Sequence, residues 1–245
     1  PKSSTGRLDI FCRTVLDYSD EYEKIPMNYK GEMFLEITSR SFDIEVQAGD
    51  ALNQMRLVFL QNNYINDETL IDIYENDAIT FDHNNNKIKP YLDNGLKVSV
   101  DLSSNNKVSA YKAKKKTSVI IFNKFHHHKK DDFWIPMETK KNSLIIESNN
   151  FYILKSKEKI RIPPNMAGEM VPYDTGIGDF RVHYAGFFDP GFGDPSGSYA
   201  VLEVKTNEVP FILEDGQVIA RIKYEMLNKE SKMVYGSNIK SNYQY

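Results

Sequence analysis

The sequence predicts an all-β protein made of two related β units with one short helical segment between them. Three observations carry this. Short apolar runs rich in β-branched and aromatic residues, bounded by Gly, Asn, Asp or Pro, recur along the 245 residues, as antiparallel strands do. Only residues 65 to 79, INDETLIDIYENDAI, carry helical spacing. Finally, GEMFLEITSRSFDIEVQAGDALNQMRLVF and GSYAVLEVKTNEVPFILEDGQVIARIKYE follow one plan, a Leu-Glu pair followed by a glycine at the same distance, Glu36 to Gly49 and Glu203 to Gly216, which marks an internal repeat.

In chain order, GEMFLEI and FDIEV read as strands of the first unit. The helical segment follows, with Asn66 as its cap, acidic residues in its first turn and Leu70, Ile71, Ile73 and Ile79 as its apolar positions. Its polar sequel HNNNKIKP suggests a connector. LKVSVDL, SVIIF, SLIIE, FYILK, IRIPP, YAVLEV, VPFIL and VIARIKY then supply the strands of the second unit. The expected boundaries are 1–64 for the C-terminal part of the first unit, 65–89 for the connector and 90–245 for the second unit with a C-terminal tail. The second copy has a front half, about residues 90 to 200, that the first copy lacks here. The opening Pro1 in place of methionine adds to the expectation of a fragment, with roughly a hundred residues upstream.

Composition narrows the function. With 40% hydrophobic and 27% charged residues the chain can build a packed core. A net charge of −3 of mixed sign offers no field for nucleic acid, so an anion must be held by a local cluster. The single cysteine, Cys12, excludes an internal disulfide framework and multi-cysteine zinc sites, and fits a reducing, cytoplasmic setting. No apolar run reaches the ~18 residues of a membrane span, and no signal peptide is visible.

Three constellations carry chemistry. The opening PKSSTGRLD places Ser3 and Ser4 between Lys2 and Arg7, with Gly6 for a tight loop. Hydroxyls and neighbouring backbone N–H groups can converge on phosphate oxygens, and a guanidinium fork can engage phosphate or carboxylate; taken alone, the stretch also fits a solvated turn. Glu36 stands on a strand between Leu35 and Ile37. It fits either an exposed polar strand face or an acid–base carboxylate on a pocket floor, and Glu203 at the matching position of the repeat favours the second. In VHYAGFFDPGFGDPSGSYAVLEV, the Asp189-Pro190-Gly191 stretch is a tight turn, and the Ala185-Gly186 ahead of it leaves backbone open to a flat ring. The run His126 to His128 suits a solvated loop rather than a metal site, because neighbouring side chains on a strand alternate faces. Trp134 is expected in the core, while His183 and Cys12 receive no catalytic role.

Taken together, these residues resemble the dCTP deaminase and dUTPase superfamily. PKSSTGRLD is similar to its phosphate loop, in the deaminase version that includes the arginine, and GEMFLEI to the strand that carries the deaminase glutamate. AGFFDPGFG is similar to the nucleoside-binding hairpin, and GDALNQMRLVF and GQVIARIKYE to the glycine-led strand that follows. The resemblance covers nearly the whole chain and is nearest to the double-length bacterial dCTP deaminases. It implies two tandem dUTPase-like distorted jelly-roll barrels.

Carried over by position, the resemblance implies Lys2, Ser3, Ser4, Thr5, Gly6 and Arg7 as the triphosphate and catalytic loop. Phe34, Leu35 and Glu36 become the segment over the base, with Glu36 and Arg7 catalytic. Ala185, Asp189 and Glu203 remain in the second copy, and Tyr235 matches the tyrosine of a closing tail, although Asn242 stands where a lysine is usual. The copies are complementary: Pro26 replaces the hairpin aspartate in the first, while Pro172, Tyr173 and Gly176 replace the loop serines and arginine in the second. A composite site is therefore expected, with the first copy's loop and Glu36 at the reacting end and the second copy as a wall. With one Cys and no His-x-Glu, the zinc route to deamination has no ligand set in this sequence. The implied reaction is hydrolytic deamination of dCTP by a glutamate, with Mg2+ on the triphosphate and no metal held by side chains. dUTP hydrolysis and a non-catalytic nucleotide-binding role stay open, as does a dTTP ligand. The resemblance further implies a homo-oligomer with no nucleic-acid or membrane partner.

Overall fold

The computed structural model describes residues 1–58, 64–124, 126–139, 141–172, 180–182, 186–206 and 208–235. Unit one contributes α1 (Ser3–Gly6), β1 (Ile10–Leu16), β2 (Met33–Ser39) and β3 (Ile44–Glu45). Next come α2 (Asp67–Asn76), β4 (Thr80–Phe81), β5 (Leu96–Ser99), β6 (Ala110–Ala113), β7 (Ile120–Ile121), α3 (Lys130–Phe133), β8 (Trp134–Met137) and β9 (Ser143–Ile146). The chain then forms β10 (Phe151–Ile160), β11 (Met166–Pro172), β12 (Phe180–Val182), β13 (Phe187–Phe188), β14 (Ser198–Thr206), β15 (Phe211–Glu214) and β16 (Val218–Met226). The all-β expectation holds. No helix among the described residues is long and apolar enough to cross a membrane.

One sheet runs β12-β14-β10-β6-β8, with β4 also paired to β10, and a second runs β13-β11-β16-β5. Between them lies the main core, where Val98, Tyr152, Leu202, Val204 and Tyr224 are fully buried. The helix predicted between the units is α2, and Asn66 caps it by accepting the Thr69 N–H at 2.9 Å. Its Leu70 and the following Ile79 are fully buried in that same core, and β4 pairs with β10. The segment expected as a connector thus packs on the main core through Leu70 and Ile79, and β4 pairs with β10 at Lys159 and Ile160.

Strand periodicity explains how the units meet. Ala200, Leu202 and Val204 of β14 point into the main core, so Glu203 and Lys205 must face the other way. Their antiparallel partners on β10 are Ile153 and Phe151, and these belong to a second apolar cluster. That cluster joins Phe151 and Ile153 to Phe42, Leu8 and Ile44 of unit one, with Trp134 packed at its edge as expected of a core aromatic. The parallel pair β3–β7, Ile44 opposite Ile120, ties the two units by backbone as well.

Gly49 and Gly216, at matching positions of the expected repeat, both have positive φ, +98° and +77°. The copies differ around it, since residues after Gly216 form β16 while 51–58 form no strand. Cys12 is buried, and burial pushes its thiol up to about 11, which suits an inert thiol. His128 accepts the Ile121 N–H at 3.0 Å through Nε2 and packs on Phe133, so it fastens its own loop. His183 lies outside the described residues.

Candidate active site

The loop at the start of the chain is held from below. Lys2 N–H donates to the Leu52 carbonyl at 2.9 Å, and the buried Thr5 hydroxyl donates to the same oxygen at 2.7 Å. Thr5 is therefore an anchor rather than a free donor, and Gly6 is buried within helical backbone rather than in a left-handed turn. Ser3 and Ser4 stay partly exposed on the outer side of this turn, beside Lys2. At its end Arg7 leaves α1, and its Nε donates to Glu203 Oε1 at 3.2 Å.

Here the structure departs from the sequence expectation. Arg7 of the first copy meets Glu203 of the second, while Glu36 is paired with Arg13 on the β1–β2 hairpin, Nε to Oε2 at 2.6 Å. The two carboxylates occupy opposite settings: the Glu203 side chain is 3% exposed and that of Glu36 is 44% exposed. The physical reason lies in β2, where every residue from Met33 to Ser39 is exposed, Phe34 and Leu35 included. Among the described residues β2 pairs only with β1 and is exposed on both faces, so alternation there makes no pocket. β14 is covered on both faces, on one by the main core and on the other by unit one.

Glu203 is buried beside the second apolar cluster, while the Arg7 side chain that reaches it keeps 25% exposure. Leu8 follows Arg7 directly, and Ile153 stands opposite Glu203 in the register. In such surroundings a charge pair is felt far more strongly than in bulk water. A second ion pair lies alongside, Lys205 Nζ to Asp9 Oδ2 at 2.7 Å.

The Asp189 hairpin packs through Phe188 and Phe192 against the main core. Ala185 lies outside the described residues. Asp189 follows β13 at the turn, where its carbonyl accepts Phe192 N–H at 3.1 Å and burial raises its carboxyl above the ordinary aspartate value. Gly191 has φ +86°, and its N–H donates to the Ile162 carbonyl at 2.9 Å. Phe188 and Phe192 meet edge to face at 4.9 Å. Tyr235 closes on this turn, its N–H on the Pro190 carbonyl at 3.0 Å and its ring 5.9 Å from that of Phe192. The remaining tail, with Asn242, is outside the described residues, as are Tyr173 and Gly176.

Some participants were missed by reading the sequence. Arg56 bridges Glu169 and Glu225 at 3.0 and 2.9 Å and lies 5.1 Å from the Phe187 ring, so unit one braces the hairpin strand. Asp9 and Lys205 were missed as well. The available signal was period two, because Lys205 follows Glu203 by two residues on the same strand face. Among the described residues no group of three or more His, Cys, Asp or Glu side chains gathers as a metal site.

The structure thus defines an all-β protein in which a buried carboxylate, the guanidinium paired with it and a basic, hydroxyl-bearing turn meet. Known proteins place it further. The family model for the N-terminal domain of 2'-deoxycytidine 5'-triphosphate deaminase matches residues 1–61, and that for its C-terminal domain matches residues 66–245. The chain belongs to the 2'-deoxycytidine 5'-triphosphate (dCTP) deaminase family. Among solved structures it is similar to the crystal structure of 2'-deoxycytidine 5'-triphosphate deaminase from Agrobacterium tumefaciens. The two are 39% identical with a TM-score of 0.81, over 95% of this chain and 68% of that one. A search of curated proteins gave no match.

Proposed function

We propose that this protein hydrolytically deaminates dCTP to dUTP and ammonia, with Glu203 as the acid–base carboxylate and Arg7 as the group that holds it. The observation that carries the assignment of roles is the 3.2 Å contact between Arg7 and a glutamate that is 3% exposed. Family membership and the 39% identical structure support the reaction itself.

In this reading Lys2, Ser3 and Ser4 take the triphosphate, and the cytosine ring lies against the hairpin of Phe188, Asp189 and Phe192. Glu203 takes a proton from water as its oxygen adds at C4. It passes that proton to the ring nitrogen and then carries the proton of the new C4 hydroxyl to the departing amine, so that the C4–N bond breaks, ammonia leaves and a carbonyl remains. Such proton transfer contributes roughly 10²–10⁴-fold; fixed orientation and the oriented charge of Arg7 add to it. Tyr235, docked on Pro190, supports a tail that closes over the nucleotide. Magnesium would enter bound to phosphate oxygens and its own waters, neutralising their charge, and the loop from Lys2 to Arg7 brings no carboxylate to it. Glu36 is the competing carboxylate: it stands exposed on an apolar strand and is paired with Arg13.

Two coarser features follow. We read the chain as the tandem, double-length form, supported by the paired positive-φ glycines and by strands carrying Glu36 and Glu203. We also read it as a homo-oligomer, supported by the exposed Met33, Phe34, Leu35 and Ile37 of β2. Separate incubation with dCTP and dUTP tests the reaction. Ammonia from dCTP is expected; pyrophosphate from dUTP would add a diphosphohydrolase activity, and no product from either would contradict the proposal.

A further inference from the structure

Two residues beyond Arg7 and two beyond Glu203, a second cross-unit pair repeats the contact with its charges reversed. Lys205 Nζ lies 2.7 Å from Asp9 Oδ2, and the same oxygen accepts the Ser41 hydroxyl at 2.5 Å. The Asp9 side chain is fully buried and the Lys205 side chain is 13% exposed. Asp9 adopts φ +53°, a left-handed conformation that aspartate tolerates better than most side chains. Its Oδ1 has no hydrogen-bond partner among the described residues, so the carboxylate depends on Lys205 and Ser41 for compensation.

A buried carboxylate of this kind is a poor way to gain stability, because desolvation consumes much of what the ion pair returns. It is a good way to fix register. Strand β14 puts Glu203 and Lys205 on one face about 6–7 Å apart, and the segment from Arg7 to Asp9 presents the complementary charges in matching order. A slip between the units by one residue would lose both pairs and bury charges alone. Ser41, in the turn after β2, links the same carboxylate to the hairpin end of unit one.

We propose that Asp9 and Lys205 are positioning residues for the deamination, a bolt between the units that holds the Arg7 guanidinium on the Glu203 carboxylate. This rests on the roles given to Arg7 and Glu203 above. The pair touches neither substrate nor reacting atoms; it acts through Arg7.

The test measures kcat per nucleotide-binding site and KM for dCTP in the full chain carrying Lys205→Met, Lys205→Arg or Asp9→Asn with Lys205→Met. Lys205→Met is expected to lower kcat about tenfold to a hundredfold while KM stays within about threefold. Lys205→Arg keeps the charge and is expected to retain most of the rate. The double variant leaves no carboxylate buried alone, so it should fold normally and still keep a depressed kcat. Wild-type kcat in Lys205→Met or in the double variant would overturn the proposal, showing the pair to be structural only. Glu203→Gln is the control that separates the two readings. Lost ammonia release with nucleotide binding kept leaves the site reading standing when the bolt fails; normal turnover in Glu203→Gln removes the site reading and the bolt together.

Discussion

At the scale of single residues, what distinguishes the two glutamates of the repeat is cover. Glu36 and Glu203 occupy matching positions, and period-two alternation gives each the face opposite its leucine neighbour. Alternation does not say whether anything lies over that face. Arg7 and Glu203 are separated by 196 residues, and single-sequence reasoning has no handle on such a pairing beyond the complementarity of the two degenerate copies. Asp189 shows a legible residue whose environment was not legible. Burial raises its carboxyl, so the folded state binds its proton more tightly than the unfolded chain. Stability therefore falls as pH rises through the unfolded value near 4 toward the raised folded one. Asp189→Asn is expected to melt at a higher temperature than wild type at neutral pH, with the advantage gone below about pH 4, and to bind dCTP more weakly. Equal melting at both pH values would contradict the burial cost.

At the scale of elements, the strands and the capped helix were readable because each rests on local periodicity and local turn chemistry. How the connector segment packs was not readable, since the burial of Leu70 and Ile79 in the main core is a tertiary contact. The hairpin after β13 was readable as a turn from Asp-Pro-Gly, but its partner was not. A Cβ on Gly191 would fall 1.9 Å from Val234 Cγ1, at a φ of +86°, so this glycine serves both the turn and the close approach of the C-terminal segment. Gly191→Ala is expected to cost upwards of about 1 kcal/mol and to release Val234 and Tyr235 from the turn. Hydrogen exchange at the Tyr235 amide, which donates to the Pro190 carbonyl, reads this directly: protection should drop, and unchanged protection would contradict the assigned contact.

At the scale of the whole molecule, the chain works as one sheet face shared by two units. The second apolar cluster takes Leu8, Phe42 and Ile44 from unit one and Phe151 and Ile153 from unit two. The paired charges Arg7–Glu203 and Asp9–Lys205 sit on the same face. In the tandem reading we propose, unit one keeps the loop with Pro26 in place of the hairpin aspartate, and unit two keeps the hairpin with Pro172 and Tyr173 in place of the loop serines. The composite site we propose follows from that pattern of differences. The proposed choice of Glu203 over Glu36 does not, because it rests on a long-range register set by buried side chains. The measurement that tests this most directly is ammonia release from dCTP by Glu203→Gln and Glu36→Gln, each with nucleotide binding measured in parallel. Glu203→Gln should bind nucleotide and lose about 10²-fold or more in kcat, with Glu36→Gln near wild type. Full turnover in Glu203→Gln together with loss in Glu36→Gln would place the chemistry on the exposed hairpin and contradict the account.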